Sequence, residues 1–156
     1  MRIGIGYDAH RLVPDRPLVL GGVQVEFDRG LAGHSDADVL VHAVCDALLG
    51  AAAAGDLGTR FPDGDPAWAG IDSLVLLART VEIVKRRGFT IENIDATLLA
   101  EAPKIAPYRR AMVEAVAGAA GLSPDRVSVK ATTTEGLGWI GRQEGLGAMA
   151  VVLLAP

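Results

Sequence analysis

The chain has 156 residues, a formal net charge of −4 and 22% charged residues, which fits one ordinary domain, residues 1–156, with the balance of a soluble globular protein. That acidic balance argues against a general nucleic-acid binder, which needs a surplus of Lys and Arg against phosphates. No window supplies the roughly 20 apolar residues of a membrane span. Aromatic residues are only 4%, so an aliphatic core is expected. Cys45 is the lone cysteine and is expected to be a buried, unreactive thiol. With no disulfide and no apolar signal core behind the N-terminus, a cytoplasmic, reducing setting is the expectation.

Residues 2 to 12 alternate Ile3 and Ile5 with glycines and read as a strand. "PLVLGGVQVEF" reads as two short strands turning at Gly21 and Gly22, because glycine reaches positive φ without penalty. Residues 28 to 35 are a polar, glycine-containing loop. From Asp36 to about Ala53, Ala37, Leu40, Val41, Val44, Leu48 and Ala51 recur at helical spacing, with Ser35 or Asp36 positioned to cap the start. "GDLGTRFPDGDPAWAG" is dense in Gly, Pro and Asp and reads as loop. A helix from about Ser73 to Arg87 then closes at Gly88. "FTIENIDATLLA" returns to strand alternation, and Pro107 opens a third helix that runs to about Ala120 and ends at Gly121. "RVSVKAT" is a strand, "TTEGLGWIGRQEG" a loop, and "LGAMAVVLLA" the closing strand.

Strands interleaved with helices, without strict βαβ alternation, predict an α+β sandwich: one mainly antiparallel or mixed sheet with helices packed on one face. "IGIGY" and "MAVVLLA" carry apolar residues on successive positions, so the second sheet face also needs a cover, and a homo-oligomer supplies it.

All three histidines, His10, His34 and His42, lie in the first third of the chain beside acidic residues. Asp8 and His10 share a strand face. Asp38, His42 and Asp46 are four apart on a helix stripe. One carboxylate and two imidazoles with an open fourth position suit a catalytic zinc, although the spacing alone equally accommodates ordinary strand-end and surface histidines. "KATTTEGLG" sets three threonines and Glu135 behind a strand, where hydroxyls and free backbone N–H groups suit phosphate oxygens and Glu135 offers a hard ligand for Mg²⁺. A threonine-rich turn explains the same residues. "HSDAD" places His34 and Ser35 before a helix N-terminus that favours anions, and a plain N-cap explains Ser35 equally well.

Taken together, "GYDAH", "HSDADVLVHAVCDALLGAAAAGDLG", "FPDGDP", "EAPK" and "KATTTEGLGWIGRQEG" resemble the 2-C-methyl-D-erythritol 2,4-cyclodiphosphate synthase family from residue 1 to the final strand. Departures are mild: Ala37 where glycine is common, Leu57 for isoleucine, Trp139 where phenylalanine is frequent. The resemblance implies cyclisation of 4-diphosphocytidyl-2-C-methyl-D-erythritol 2-phosphate with loss of CMP, in the non-mevalonate route to isoprenoid precursors. It implies Zn²⁺ on Asp8, His10 and His42, and Mg²⁺ or Mn²⁺ on Glu135 together with the substrate phosphates. His34 and Thr133 are implied as catalytic, stabilising the transition state, with Ser35, Thr132 and Thr134 near the phosphates. Asp56, Leu57, Gly58, Phe61, Asp63 and Asp65 are implied around the methylerythritol, and Ala100, Pro103, Lys104, Ile105 and Ala106 around the cytidine. A lone EAPK would leave Lys104 a solvated surface charge. The resemblance further implies a homotrimer with its sheets facing the threefold axis and active sites shared between neighbours. Trp139 and Arg142, counted among the substrate-binding residues, resemble with Tyr7 and Glu144 the lining of an axial cavity for an isoprenoid diphosphate. Rival readings are a different zinc-dependent phosphohydrolase using water, and a non-catalytic isoprenoid-diphosphate binding module.

Overall fold

The computed structural model describes residues 1–62, 64–68 and 70–156. Strand β1 spans Arg2–Val13, followed by β2 (Leu18–Leu20), β3 (Val23–Val25) and β4 (Gly30–Leu31); helix α1 runs Val39–Ala51, α2 Leu57–Arg60 and α3 Ser73–Arg86. Then come β5 (Thr90–Leu99), α4 (Arg109–Ala120), β6 (Val127–Thr132), α5 (Gly138–Gly141) and β7 (Gly145–Ala155), with single 3₁₀ turns at Pro66–Trp68 and Pro124–Arg126. Five strands form one mixed sheet in the order β4-β1-β7-β5-β6, and β2 with β3 forms a separate hairpin. Among the described residues only β5 and β6 pair in parallel; β1 with β4, β1 with β7 and β5 with β7 are antiparallel. The expected α+β architecture with a mixed sheet is the one observed.

Helix α1 is the centre of the helical layer and lies against β1 and β7. The glycines of β1 explain how closely. A Cβ at Gly6 would sit 1.9 Å from the Ala43 carbonyl oxygen, and one at Gly4 equally close to that of Ala47. The strand thus turns its glycines toward the helix, whose Ala43, Ala47 and Ala51 follow one another at i, i+4 spacing. Ile3, Ile5 and Tyr7 consequently point out of the opposite face and are 73%, 64% and 56% exposed. Tyr7 pairs with Met149 and Ile5 with Val151 across the β1–β7 ladder, and both partners are exposed as well. One sheet face is therefore packed on helices while the other presents a contiguous apolar stripe to solvent.

Helix α1 begins later than its periodicity predicts. Ala37 lies at φ +57, a left-handed conformation that interrupts any helix started at Asp36, so neither Ser35 nor Asp36 is the cap. Asp38 caps instead, accepting from the Val41 N–H at 3.1 Å. Its carboxylate also accepts from the N–H groups of Gly21 (2.9 Å) and Gly22 (2.6 Å), pinning the β2–β3 turn to the helix start. Burial raises the Asp38 carboxyl to about 6 against these three bonds, with the Asp36 charge adding to the rise. Asp38 is therefore structural, and only His42 and Asp46 of the predicted stripe face the site. Helix α4 likewise starts at Arg109 rather than Pro107, because Tyr108 N–H closes a turn onto Ile105 O at 2.9 Å. β4, α2 and α5 fall inside segments expected to be loop. Cys45 is buried as expected, and burial pushes its thiol up to about 12.

Candidate functional site

Because α1 approaches β1 so closely, His42 on the helix meets Asp8 and His10 on the strand. Asp8 Oδ2 lies 2.8 Å from His10 Nε2 and 3.1 Å from His42 Nδ1, and the two imidazole nitrogens are 3.2 Å apart. One ligand atom from each residue lies within 4.8 Å of the other two. The histidine roles follow from what stands behind each ring. His10 Nδ1 is 2.7 Å from the Ala32 carbonyl, which only accepts, so Nδ1 carries a proton and in the neutral ring Nε2 turns its lone pair toward Asp8. On its far side, His42 Nε2 faces the hydroxyls of Ser73 and Ser35.

Three acceptor atoms aimed at one point repel unless a cation lies between them. Burial disfavours charge on His10, yet the hydrogen bond and charge of Asp8 and the Ala32 carbonyl prevail and raise its pKa above the usual 6.5. Burial alone would raise Asp8, but hydrogen bonds and charge from His10 and His42 hold its carboxyl well below the usual carboxylate range. The cluster thus favours positive charge at the point where a divalent ion fits, and its mixed carboxylate–imidazole donor set suits zinc chemistry with one open position.

The open side gives onto a cavity of about 280 Å³ lined by Asp8, His10, His34, Ser35, His42, Leu57, Gly58 and Phe61 among the expected residues. Gly33, Asp46, Trp68, Ile71 and Leu76 also line it and were not expected there. Asp46, one turn beyond His42, accepts from Leu57 N–H at 2.7 Å, and burial raises its carboxyl. Phe61 and Trp68 meet edge to face at 5.1 Å between centroids, making one wall apolar. Asp56 caps α2 by accepting from Thr59 N–H at 2.7 Å, and Asp65 accepts from Ala67 N–H at 2.9 Å; neither carboxylate lines the cavity. Asp63 lies outside the described residues.

The second expected cluster forms elsewhere. Asp8 is in register with Ala148, Ala148 with Leu98 and Leu98 with Ala131. Thr132 therefore stands at the same end of the sheet as the metal cluster but three strands away, about 14 Å across. There Thr133 Oγ1 bonds Glu135 Oε1 at 3.1 Å, and Glu135 has a left-handed backbone with φ +54. Glu101, not singled out from the sequence beyond its motif, holds this loop: its Oε1 accepts from Thr134 N–H (2.9 Å) and Gly136 N–H (3.0 Å) on either side of Glu135. These bonds lower its pKa, with Gly136 contributing most. The Ala100 N–H donates to Thr132 O at 3.0 Å, joining the EAPK segment to the threonine loop. Pro103 is half-buried and Lys104 and Ala106 are exposed, while Ala100 and Ile105 are buried, so these two offer only backbone to a ligand.

A smaller recess of about 210 Å³ is lined by Ala9, His10, Arg11, Trp139, Glu144 and Gly145. Arg142 pairs with Glu144 at 2.7 Å beside it, and Tyr7 belongs to the exposed stripe rather than the recess. Among the described residues, no helix is long and apolar enough to cross a membrane.

The family model of the YgbB family matches residues 1–155. The 2-C-methyl-D-erythritol 2,4-cyclodiphosphate synthase of Syntrophobacter fumaroxidans is 61% identical over 154 residues, 99% of this chain and 97% of that one. A solved 2C-methyl-D-erythritol-2,4-cyclodiphosphate synthase, in a form bound to CDP, superposes with a TM-score of 0.91 at 40% identity, covering 99% of this chain and 100% of the other. The bifunctional IspDF of Campylobacter jejuni superposes with a TM-score of 0.94 at 42% identity over 98% of this chain, which spans 42% of that longer one. With a family-model match over residues 1–155 and relatives matched along nearly its whole length, the chain belongs to the YgbB family.

Proposed function

We propose that the chain is a cyclising phosphorus–oxygen lyase. It converts 4-diphosphocytidyl-2-C-methyl-D-erythritol 2-phosphate to 2-C-methyl-D-erythritol 2,4-cyclodiphosphate and releases CMP, in non-mevalonate isoprenoid biosynthesis. The observation that carries this is the convergence of Asp8, His10 and His42 at the mouth of the 280 Å³ cavity.

The attacking group is the substrate's own 2-phosphate, ionised at neutral pH, so no Ser/His/Asp nucleophile is needed. The difficulty is electrostatic: two anionic phosphates a few ångströms apart repel by several kcal/mol at intermediate dielectric. Bound Zn²⁺ at Asp8, His10 and His42 and Mg²⁺ or Mn²⁺ at Glu135 supply Lewis acidity and charge neutralisation toward the diphosphate. His34 and Thr133 donate to oxygens that gain charge in the transition state. Ser35, Thr132 and Thr134 hold phosphates, and Lys104 offsets charge on the leaving CMP. Leu57, Gly58 and Phe61 enclose the methylerythritol and exclude water from the reacting centre. The backbone of Ala100, Pro103, Ile105 and Ala106 reads the cytosine edge.

The working unit is a homotrimer, with the stripe of Ile3, Ile5, Tyr7, Met149 and Val151 facing the threefold axis. The separation of Glu135 from the metal cluster within one chain supports an active site completed by a neighbour. The recess beside Trp139 and the Arg142–Glu144 pair is the corresponding place for an isoprenoid diphosphate on the axis.

Incubation of zinc-loaded protein with the cytidylylated substrate tests the reading. Equal amounts of CMP and cyclic diphosphate are expected. A linear phosphate product would instead mean a hydrolase, and binding of isoprenoid diphosphate without any turnover would mean a binding module.

A further inference from the structure

His42 comes from a helix, and nothing in α1 itself fixes which of its ring nitrogens carries the proton. The partners behind the ring do. His42 Nε2 lies 3.0 Å from Ser73 Oγ, and Ser73 is fully buried at the first turn of α3. The Ser73 hydroxyl hydrogen is already committed, because Ser73 Oγ donates to Asp36 Oδ1. Asp36 only accepts: its Oδ1 also takes the Asp38 N–H at 3.1 Å, and its Oδ2 takes the Ser73 N–H at 3.0 Å. The Ser73 oxygen therefore faces His42 as an acceptor, Nε2 must supply the hydrogen, and in the neutral ring Nδ1 is left with its lone pair toward Asp8 and His10. Ser35 Oγ, at 3.3 Å from the same nitrogen and already accepting from Ala37 N–H, is the weaker partner.

We propose that Ser73 and Asp36 form a positioning relay that holds His42 in the tautomer and orientation needed for metal binding. It rests on the metal reading given above. Neither residue touches the ion or the substrate; both act through His42, as groups behind metal-bound histidines commonly do. The relay also joins α3 to the β4–α1 loop, since the Asp36 N–H donates to Ile71 O, so the metal site and the start of α3 are fixed by one set of bonds.

Ser73→Ala and Asp36→Asn separate this role from a packing role. In Asp36→Asn the amide can donate to Ser73, freeing the serine hydrogen to turn toward His42 and favour the wrong tautomer. Zinc affinity is measured by competition with a chromogenic chelator, and ¹⁵N shifts of the His42 ring are read in metal-free protein above pH 8. Each variant is expected to bind zinc about 10- to 100-fold more weakly while remaining folded by circular dichroism. Unaltered protein should show the hydrogen on Nε2. Zinc affinity unchanged in a folded Ser73→Ala, or a His42 hydrogen on Nδ1 alone in unaltered protein, would overturn the relay. If Ser73→Ala does not fold, Asp36→Asn and the unaltered ring shifts decide. Failure of the unaltered protein to bind zinc would sink the metal reading instead, and the metal-free ring shifts would still decide the tautomer.

Discussion

The two clusters at one end of the sheet are built in opposite ways. Asp8, His10 and His42 are half-buried or buried, interlocked at 2.8 to 3.2 Å, and each imidazole is backed by a partner on its far side. Thr133 and Glu135 are exposed, bond chiefly to each other, and hang on a loop held by Glu101. The first cluster is complete within the chain, and on the proposed reading the second is completed by a neighbour. A rigid ligand set lowers the cost of capturing an ion. An exposed loop of hydroxyls and one carboxylate gains strength only where a substrate and a second wall exclude water.

That contrast can be broken from either side, and the largest effect is expected at the rigid cluster. His42→Ala should abolish zinc binding, measured by metal analysis, and reduce kcat by about a thousandfold or more, the equivalent of several kcal/mol. Next comes the exposed apolar stripe, the face proposed to join the subunits. Ile5→Asp places an unpaired charge in the apolar stripe, which costs several kcal/mol once covered; native mass should fall from trimer to monomer, and activity should drop about a hundredfold while zinc binding survives. Glu101→Gln removes a charged acceptor from two N–H donors flanking Glu135 and should reduce kcat about tenfold, with zinc affinity unchanged in the same preparation.

Smaller effects sharpen the picture of the rigid cluster. His10 has a raised pKa in metal-free protein, so its pair with Asp8 stabilises fully below the ordinary 6.5 and loses that contribution as pH rises through the folded value. The Tm of metal-free protein should therefore decline from pH 6.5 upward, and zinc-loaded protein should not show that decline. Asp8 carries the opposite dependence: its lowered pKa stabilises above the ordinary 3.8 and is lost on acidification. Ala37→Gly relieves a left-handed alanine and should stabilise by about 1 kcal/mol, read by thermal denaturation.

Much of this was legible in the sequence because its signals are local. Two apart on a strand meant one face for Asp8 and His10, and the alternation of β5 and the periodicity of α3 gave elements within a residue or two of those observed. What was not legible depends on long-range packing. Nothing in the pattern around Ser35 announces that Ala37 adopts positive φ, so the helix start was placed too early and Asp38 was grouped with His42 although it caps α1 and anchors Gly21 and Gly22. β4 is a two-residue strand, too short to alternate. Ser73 and Glu101 act through partners 31 to 35 residues away, and no spacing rule links them. Trp68 and Ile71 reach the cavity from the segment before α3 and Leu76 from α3 itself, which composition alone does not reveal.

The central claim is that one chain supplies the metal cluster and a neighbour supplies Glu135. Subunit mixing tests it most directly: His42→Ala and Glu135→Gln proteins, each inactive alone, are unfolded together, refolded at equal ratio and assayed for CMP release. Across all trimers of a random equal mixture about one quarter of the interfaces pair an intact metal cluster with an intact Glu135, so activity should return to about a quarter of that of the unaltered protein. Mixtures no more active than the separate variants would mean that both halves must come from the same chain, and the shared site would be wrong.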